Sequence, residues 1–330
     1  MRTGINSKFS YNKTLLLLSL LCIICAGLSV FFGEIASMAV AGLLAAIFVF
    51  ETGHKRIYSF VVPIILVAIN VVMVSLMENI FSIWAVISIL AAYVIFFGYV
   101  KKMEKFDTAL IVTGIVALAT VISLLIVGMI SASEFSINSS IEFYTKLYSA
   151  IREGFSHTLV ELYSQISQGI DTQTITVDDA ASILDVIASL LIGVLVIVSF
   201  FVAGVSYKIF AAIMKKYSEH PEDLIGWRFL PPAFFGHVYL VLVVAYFLLS
   251  NGTGVLATSV TNLYLIFMWV FAYVGVKISH AYLSRVKSVG FSIFILGICL
   301  LLFSSFALQI LAMIGAFSCS RRIVQTPGDM

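Results

Sequence analysis

Five polar side chains that can bind a solute or move a proton lie within long apolar stretches of the sequence. They are Asn70, Asp185, His237, Asn262 and Gln309. Polar groups are costly in hydrocarbon, so each is a candidate functional residue. For the two asparagines and the glutamine, the commoner role is a hydrogen bond between helices. Asp185 lies near the start of its stretch, where water reaches it, and for His237 a proton or ligand role and a packing role stay equally open.

No set of catalytic residues accompanies these side chains. The chain contains no H-E-x-x-H zinc motif, no G-x-S-x-G nucleophile elbow and no G-x-x-x-x-G-K-[ST] phosphate loop. Cys22 and Cys25 form a C-x-x-C, but their apolar run lacks the polar neighbours that a redox or metal site needs. The sequence therefore predicts a protein that is not an enzyme, binds no metal or cofactor, and does not itself hydrolyse ATP.

The composition shows which elements position the polar residues. Of the 330 residues, 61% are hydrophobic and only 11% are charged, and the mean hydropathy is +1.11. Ordinary soluble domains are about 25% charged, and a soluble fold cannot cover so much apolar surface. The chain is therefore predicted to be an all-α integral membrane protein with the lipid bilayer as its main partner. A secreted disulfide scaffold, a disordered linker and a nucleic-acid-binding protein are excluded.

Nine apolar stretches approach the roughly 20 residues that a helix needs to cross a bilayer. They are continuous rather than alternating, which excludes the strands of a membrane barrel. The first follows a basic segment as a signal peptide does, but without a clean cleavage site it is predicted to be an uncleaved helix. The predicted spans are 14–32, 35–50, 57–77, 80–100, 108–130, 181–207, 229–249, 255–276 and 289–318.

The distribution of basic residues predicts the orientation of these spans. Cytoplasmic loops of membrane proteins are rich in Lys and Arg, and with a cytoplasmic N-terminus fifteen of the nineteen basic residues lie on that side. These fifteen are Arg2, Lys8, Lys13, Lys55, Arg56, Lys101, Lys102, Lys105, Lys208, Lys215, Lys216, Arg228, Lys277, Arg285 and Lys287. The predicted location is the bacterial cytoplasmic (inner) membrane. Nine spans place Arg321 and Arg322 outside, so counts of eight or ten stay open.

The one long segment between spans is predicted to be a periplasmic amphipathic helix. Between positions 137 and 170 its apolar residues recur every three or four positions, which defines one face of a helix. Capping boxes are predicted at Ser139–Glu142 and Thr176–Asp179, with Gly169 near the helix end. The helix either shields the bundle as a surface helix or forms a lid over a cavity. The predicted parts are residues 1–130, 131–180, 181–318 and a polar tail, 319–330.

Short motifs in the C-terminal half resemble a known family. Trp227-Arg228-Phe229-Leu230-Pro231 opens a helix after an acidic loop, and Asn262-Leu263, Gly275-Val276 and His280-Ala281-Tyr282-Leu283 follow. This arrangement resembles the YybS-like family of predicted bacterial membrane proteins of unknown function, except that Leu230 shifts the proline by one position. The resemblance marks Trp227, Arg228, Pro231 and Asn262 as signature residues without an assigned role.

The resemblance also carries an expectation about function. The N-terminal half of such proteins is similar to the substrate-binding membrane subunits of energy-coupling-factor transporters, which take their ATPases from other subunits. We therefore expect a small-solute transport component with Asn70, His237, Asn262 and Gln309 at its binding site. The alternative is a non-catalytic scaffold or assembly factor of the cell envelope, and an intramembrane enzyme is the least favoured reading.

Overall fold

The computed structural model describes residues 10–32, 34–52, 57–77, 84–166, 176–218, 231–249, 252, 254–286 and 288–320. Within these ranges the chain forms helices joined by short connections. The helices are α1 (Tyr11–Phe32), α2 (Glu34–Phe50), α3 (Ile57–Met77), α4 (Trp84–Val100), α5 (Lys105–Ser131), α6 (Ile137–Ile166), α7 (Val177–Ser189), α8 (Leu191–Tyr217), α9 (Ala233–Leu249), α10 (Val255–Val286) and α11 (Val289–Ser320).

The predicted all-α membrane architecture is confirmed. Among the described residues, four helices are long and apolar enough to cross a bilayer, over Tyr11–Leu28, Lys105–Ser131, Leu191–Tyr217 and Val255–Arg285. The other apolar helices or parts of helices are shorter, and they belong to α2, α3, α4, α9 and α11. Each of the nine predicted apolar stretches thus contains helix in the part of the chain that the structure describes.

The sixth predicted span, 181–207, is wrong in its bounds. The chain forms an amphipathic helix, α7, and then turns at Leu190 before the apolar helix α8 begins. The Leu190 N–H donates a hydrogen bond to the carbonyl of Ile187, three residues earlier, at 3.1 Å. This spacing is typical of a 3₁₀ turn, which is tighter than an α-helix. Asp185 consequently lies on α7, before the membrane-spanning helix, and not within it.

One of the two predicted capping boxes is confirmed. At the start of α7, the Asp179 N–H donates to Thr176 Oγ1 at 3.2 Å and the Thr176 N–H donates to Asp179 Oδ2 at 3.0 Å. The box at Ser139 is wrong, because α6 already begins at Ile137. The hydroxyl of Ser136 instead accepts from the Asn138 N–H. The predicted end at Gly169 lies outside the described residues.

The chain divides into two compact units. The first comprises Met1–Met103, Asp107–Leu191 and Val198–Gly226, and the second comprises Glu104–Phe106, Ile192–Ile197 and Trp227–Met330. These boundaries differ from the three-part division and tail expected from the sequence, which stays a prediction.

The core of the first unit is built around α2. From Val40 to Phe50 every residue of α2 is buried except Phe48. This part of the helix therefore does not need a polar face toward water. Residues of α1, α3, α4, α5 and α8 share the same core. Gly42 allows α8 to approach closely, since a Cβ at this position would lie 2.5 Å from the carbonyl oxygen of Ser206. Small residues therefore serve the packing of the bundle here.

The second unit has a separate core formed by α9, α10 and α11. α10 and α11 cross at two glycines, Gly275 and Gly315. A Cβ on Gly275 would overlap the carbonyl oxygen of Leu311, and a Cβ on Gly315 would overlap that of Phe271. The absence of both side chains lets the two backbones touch, which fixes the three-helix arrangement that contains the candidate site.

Candidate functional site

A groove of about 650 Å³ lies among the three helices of the second unit. α11 supplies most of its wall, with residues that recur every three or four positions along one face. α9 contributes every fourth residue, and α10 contributes Tyr264. The lining residues are Tyr239, Val243, Phe247, Tyr264, Phe306, Gln309, Ile310, Met313, Ile314, Phe317 and Ser318.

Stacked tyrosines lie at the groove, and two of them, Tyr239 and Tyr264, belong to its lining. The rings of Tyr246 and Tyr264 stack with centroids 4.3 Å apart, and those of Tyr239 and Tyr264 stack at 6.0 Å. Tyr239 and Tyr264 are 1% and 3% exposed. Aromatic rings pack well in offset and parallel arrangements, and this stack joins α9 to α10 beside the groove.

A hydrogen-bond network connects these tyrosines to the one carboxamide of the groove. The hydroxyls of Tyr239 and Tyr264 share a hydrogen bond, and the side chain of Gln309 hydrogen-bonds the Tyr264 hydroxyl. Buried hydroxyls need such partners, because an unpaired polar group away from water is costly. Gln309 is thus the polar side chain through which this network reaches the groove, and the remainder of the described lining is mostly apolar.

The neighbouring contacts explain why the groove forms. At Gly236, α9 touches α11 directly, since a Cβ there would lie 2.8 Å from the carbonyl oxygen of Ala316. The residues of α9 that line the groove beyond this contact, Tyr239, Val243 and Phe247, all have larger side chains than glycine. Along the rim, Phe247 and Phe306 are 66% and 63% exposed, so the groove is open on one side.

Of the four solute-binding residues predicted from the sequence, Gln309 lines the groove. Asn262, on α10, is buried, and its carboxamide is held by two backbone groups. Its Oδ1 accepts from the Gly193 N–H at 2.9 Å, and its Nδ2 donates to the Thr258 carbonyl at 3.0 Å. Gly193 lies in the first turn of α8, whose N–H groups have no partner within the helix. Asn262 thus caps α8 from a distance of 69 residues in sequence.

The other two predicted residues are not among those that line the groove. Asn70 belongs to the first unit, where its Oδ1 accepts from the Ala85 N–H at 3.4 Å, in the first turn of α4. His237 is exposed on α9, and its Nδ1 lies 2.9 Å from the carbonyl oxygen of Ala233 in its own helix. The structure therefore gives both Asn70 and His237 backbone partners within their own units.

Two of the four signature residues, Pro231 and Asn262, lie in the part of the chain that the structure describes. Trp227 and Arg228 lie outside the described residues. Pro231 is buried and lies two residues before α9 begins. A proline just before a helix needs no backbone hydrogen-bond partner for its nitrogen, which suits this position.

Two buried polar arrangements are absent from the sequence-based predictions. Glu51 is 1% exposed. Its carboxylate accepts from the Tyr58 N–H at 3.0 Å, from the Ser59 N–H at 2.6 Å and from the Ser59 hydroxyl. The carboxylate thus caps the N-terminus of α3, where negative charge is favoured. In the second unit, His280 Nδ1 lies 2.8 Å from the hydroxyl of the buried Ser292 and joins α10 to α11.

The amphipathic helices α6 and α7 are held together by a cluster around Asp185. Arg152 donates to both carboxylate oxygens, at 3.1 and 3.2 Å, and the Tyr148 hydroxyl donates to Oδ1 at 2.6 Å. These hydrogen bonds, from Arg152 first and from Tyr148 second, lower the pKa of Asp185. The same contact with Asp185 raises the pKa of Arg152 and of Tyr148. The cluster is exposed, so it is a contact between helices and not a buried charge site.

Among the residues that the structure describes, no three His, Cys, Asp or Glu side chains are grouped closely enough to hold a metal ion.

Comparison with known proteins gives the family of the chain. The family model described as "Predicted membrane protein (DUF2232)" matches residues 12–317. Because this match covers nearly the whole chain, the chain belongs to that family of predicted membrane proteins. No curated protein and no solved structure matches it.

Proposed function

We propose that this DUF2232 protein binds a small, mostly apolar solute in the membrane and takes part in its transport. The single observation that carries the proposal is the groove among α9, α10 and α11. Its volume of about 650 Å³ lies within the range of small-molecule sites, roughly 300–1,000 Å³. Its lining of aromatic and aliphatic side chains with a few polar groups is also typical of such sites.

The proposal includes several finer points from the sequence. The protein lies in a bacterial inner membrane with its N-terminus in the cytoplasm, is not an enzyme, and depends on separate energising subunits. The resemblance to YybS-like proteins, and of the N-terminal half to the substrate-binding subunits of energy-coupling-factor transporters, supports this arrangement. Of the sequence candidates, the proposal keeps Gln309 as a solute contact and assigns Asn70 and Asn262 to helix capping.

The test is a thermal-unfolding screen of the purified protein in detergent against vitamins, nucleobases, amino acids and metal ions. A ligand that binds the folded state stabilises it by about 2.7 kcal/mol at a hundredfold excess over its Kd. We expect at least one uncharged solute with an apolar ring to raise the unfolding temperature. Charged amino acids and metal ions are expected to have no effect, because no charged side chain is among the described residues that line the groove.

Two pairs of variants locate the binding site. Gln309→Leu and Tyr264→Phe each remove a polar group of the groove and are expected to weaken the stabilisation by the solute. Gln165→Leu on α6 and Tyr282→Phe on α10 remove the same groups at exposed positions that do not line the groove and are expected to leave the stabilisation unchanged. A screen without any hit, or hits that all four variants keep, would contradict the proposal.

A second candidate function, an envelope scaffold, is favoured by one observation. α6 keeps part of its apolar face uncovered: Ile137, Ile141, Ile151 and Leu162 are all at least half exposed. A scaffold would bind a partner there. Photo-cross-linking from position 151 in cells would then capture one discrete envelope protein, whereas capture of lipid alone would show that this face lies on the bilayer.

A further inference from the structure

The carboxamide of Gln309 has hydrogen-bonding groups beyond those that the tyrosine network uses. A primary amide has two N–H donors and a carbonyl acceptor in one plane. One of these groups hydrogen-bonds the Tyr264 hydroxyl. The Tyr264 hydroxyl, in turn, is already bonded to both Tyr239 and Gln309. Gln309 is therefore the lining group best placed to hydrogen-bond a ligand.

The apolar lining restricts the charge of that ligand. None of the eleven described residues around the groove is charged. An ion without a partner pays a large desolvation penalty in such surroundings. Within hydrocarbon there is also no water to complete the hydrogen bonds of an amide. The ligand is thus uncharged, and it carries its own donor and acceptor.

The aromatic rings of the lining restrict the form of the ligand. At its rim the groove exposes the rings of Phe247 and Phe306, which are 66% and 63% exposed. The rings of Tyr239 and Tyr264 also line the groove, but they are almost fully buried. A flat ring system gains the most binding free energy from exposed aromatic rings, because offset stacking contributes about 0.5–1.5 kcal/mol beyond the contribution of the buried area.

We propose that the groove takes an uncharged planar ring with an N–H next to a C=O, a ring amide, and that Gln309 pairs with that amide edge. The side-chain amide of Gln309 offers an acceptor and a donor at matching spacing, as glutamine and asparagine do when they pair with base edges. This inference rests on the proposed function only in that the groove is the solute site.

The experiment compares three uncharged probes of similar size and shape: phenanthridinone, which has the ring amide, N-methylphenanthridinone, which lacks the N–H, and phenanthrene, which lacks both groups. Each is titrated against the full-length protein in detergent, with protein-free micelles as the blank. We expect phenanthridinone to bind about tenfold more tightly than the other two, the effect of one or two net hydrogen bonds. In Gln309→Met we expect this preference to fall to about twofold or less while phenanthrene still binds.

A second pair of variants confirms the place of binding. Ile310→Trp fills the groove and is expected to weaken all three probes, whereas Ile293→Trp, at an exposed position of α11 outside the groove, is expected to have no effect. Retained phenanthrene binding in Gln309→Met shows that this variant is folded. Equal binding of the three probes in the groove, or a preference that survives in Gln309→Met, overturns the ring-amide inference and leaves the proposed function standing. Absence of binding by all three probes also overturns the inference, and the solute screen then decides the function separately.

Discussion

Gly275 of α10 and Gly315 of α11 lie at one helix crossing, and at each of them a side chain would need space that the backbone of the other helix occupies. The ideal Cβ position on Gly315 lies 3.0 Å from the backbone nitrogen of Gly275 and overlaps the carbonyl oxygen of Phe271. From the other helix, the ideal Cβ on Gly275 overlaps the Leu311 carbonyl of α11. The two helices that carry Tyr264 and Gln309 are thus joined backbone to backbone.

Gly275→Ala is expected to lower the free energy of unfolding by about 1–3 kcal/mol, the usual cost of overpacking. The added methyl group meets backbone atoms, which cannot rotate away as a side chain can. Gly297→Ala, on α11, is the matched control, since no heavy atom lies within 4 Å of its Cβ position. Thermal unfolding in detergent measures both, and an equal loss in the two variants would contradict the crossing.

Asn262→Leu is expected to destabilise the start of α8, because the Gly193 N–H loses its acceptor in a region without water. The cost of an unsatisfied buried donor is about 1–3 kcal/mol. Hydrogen exchange of the first turn of α8 and thermal unfolding without solute report the effect. Asn138→Leu, at an exposed position of α6, serves as control. If Asn262→Leu changed only the binding of a solute and not stability, the capping role would be wrong.

Glu51→Gln is expected to lower stability by about 1–3 kcal/mol at neutral pH. The carboxylate accepts from two N–H groups of α3 and one hydroxyl. An amide has one oxygen, and its NH₂ group faces donors, while the loss of charge removes the favourable interaction with the helix N-terminus. Glu161→Gln on the exposed surface of α6 is the comparison. A thermal-unfolding curve unchanged from that comparison would refute the role of Glu51.

The contact between α6 and α7 is expected to weaken in acid. The hydrogen bonds from Arg152 and Tyr148 lower the pKa of Asp185 below its ordinary value of 3.8. Because the pKa is depressed in the folded state, the contact is fully present above pH 3.8 and is lost as the pH falls through the lower folded value. Spin labels at Ser149→Cys and Ser182→Cys, in a background without native cysteines, measure the distance between the helices.

In Asp185→Asn that distance is expected to lose its pH dependence, because the titrating group is gone. Glu153→Gln, elsewhere on α6, is expected to keep it. A distance that responds to acid in the same way in all three proteins would assign the effect to other groups.

The orientation is tested with single cysteines in the same cysteine-free background. Ser149→Cys on α6 is expected to react with a membrane-impermeant maleimide added to intact spheroplasts, and Lys102→Cys, after α4, only after lysis. The expectation follows from the excess of Lys and Arg on the side that contains Lys102. The reverse pattern would invert the proposed topology.

The sequence predicted local features well and contacts between distant segments poorly. The bounds of α3 and the capping box at Thr176 follow from hydropathy and from residues three positions apart. The turn at Leu190 was missed because hydropathy stays high across it and no proline marks it. The partner of Asn262 is 69 residues away, and no pattern in a single sequence specifies such a pairing.

The candidate site likewise combines local features that the sequence predicts with contacts between distant segments that it does not. Gln309 was identified from the cost of an amide in hydrocarbon, and the spacing of Phe306, Ile310, Met313 and Phe317 on α11 marks one helix face. That this face meets Tyr239 and Tyr264 depends on how three helices cross, which the glycines decide. Glu51 was overlooked because it lies at the end of an apolar run next to basic residues and there resembles a loop residue.

The burial of α2 has a consequence for how the first unit responds to its membrane. Since nearly every described side chain from Val40 to Phe50 is covered by other helices, acyl chains do not reach this part of α2, and its short length causes no hydrophobic mismatch with the bilayer. Thinner or thicker bilayers act on the helices around it. A change in lipid chain length therefore affects α2 only through the neighbouring helices. Protein contacts determine the register of α2 in the bundle.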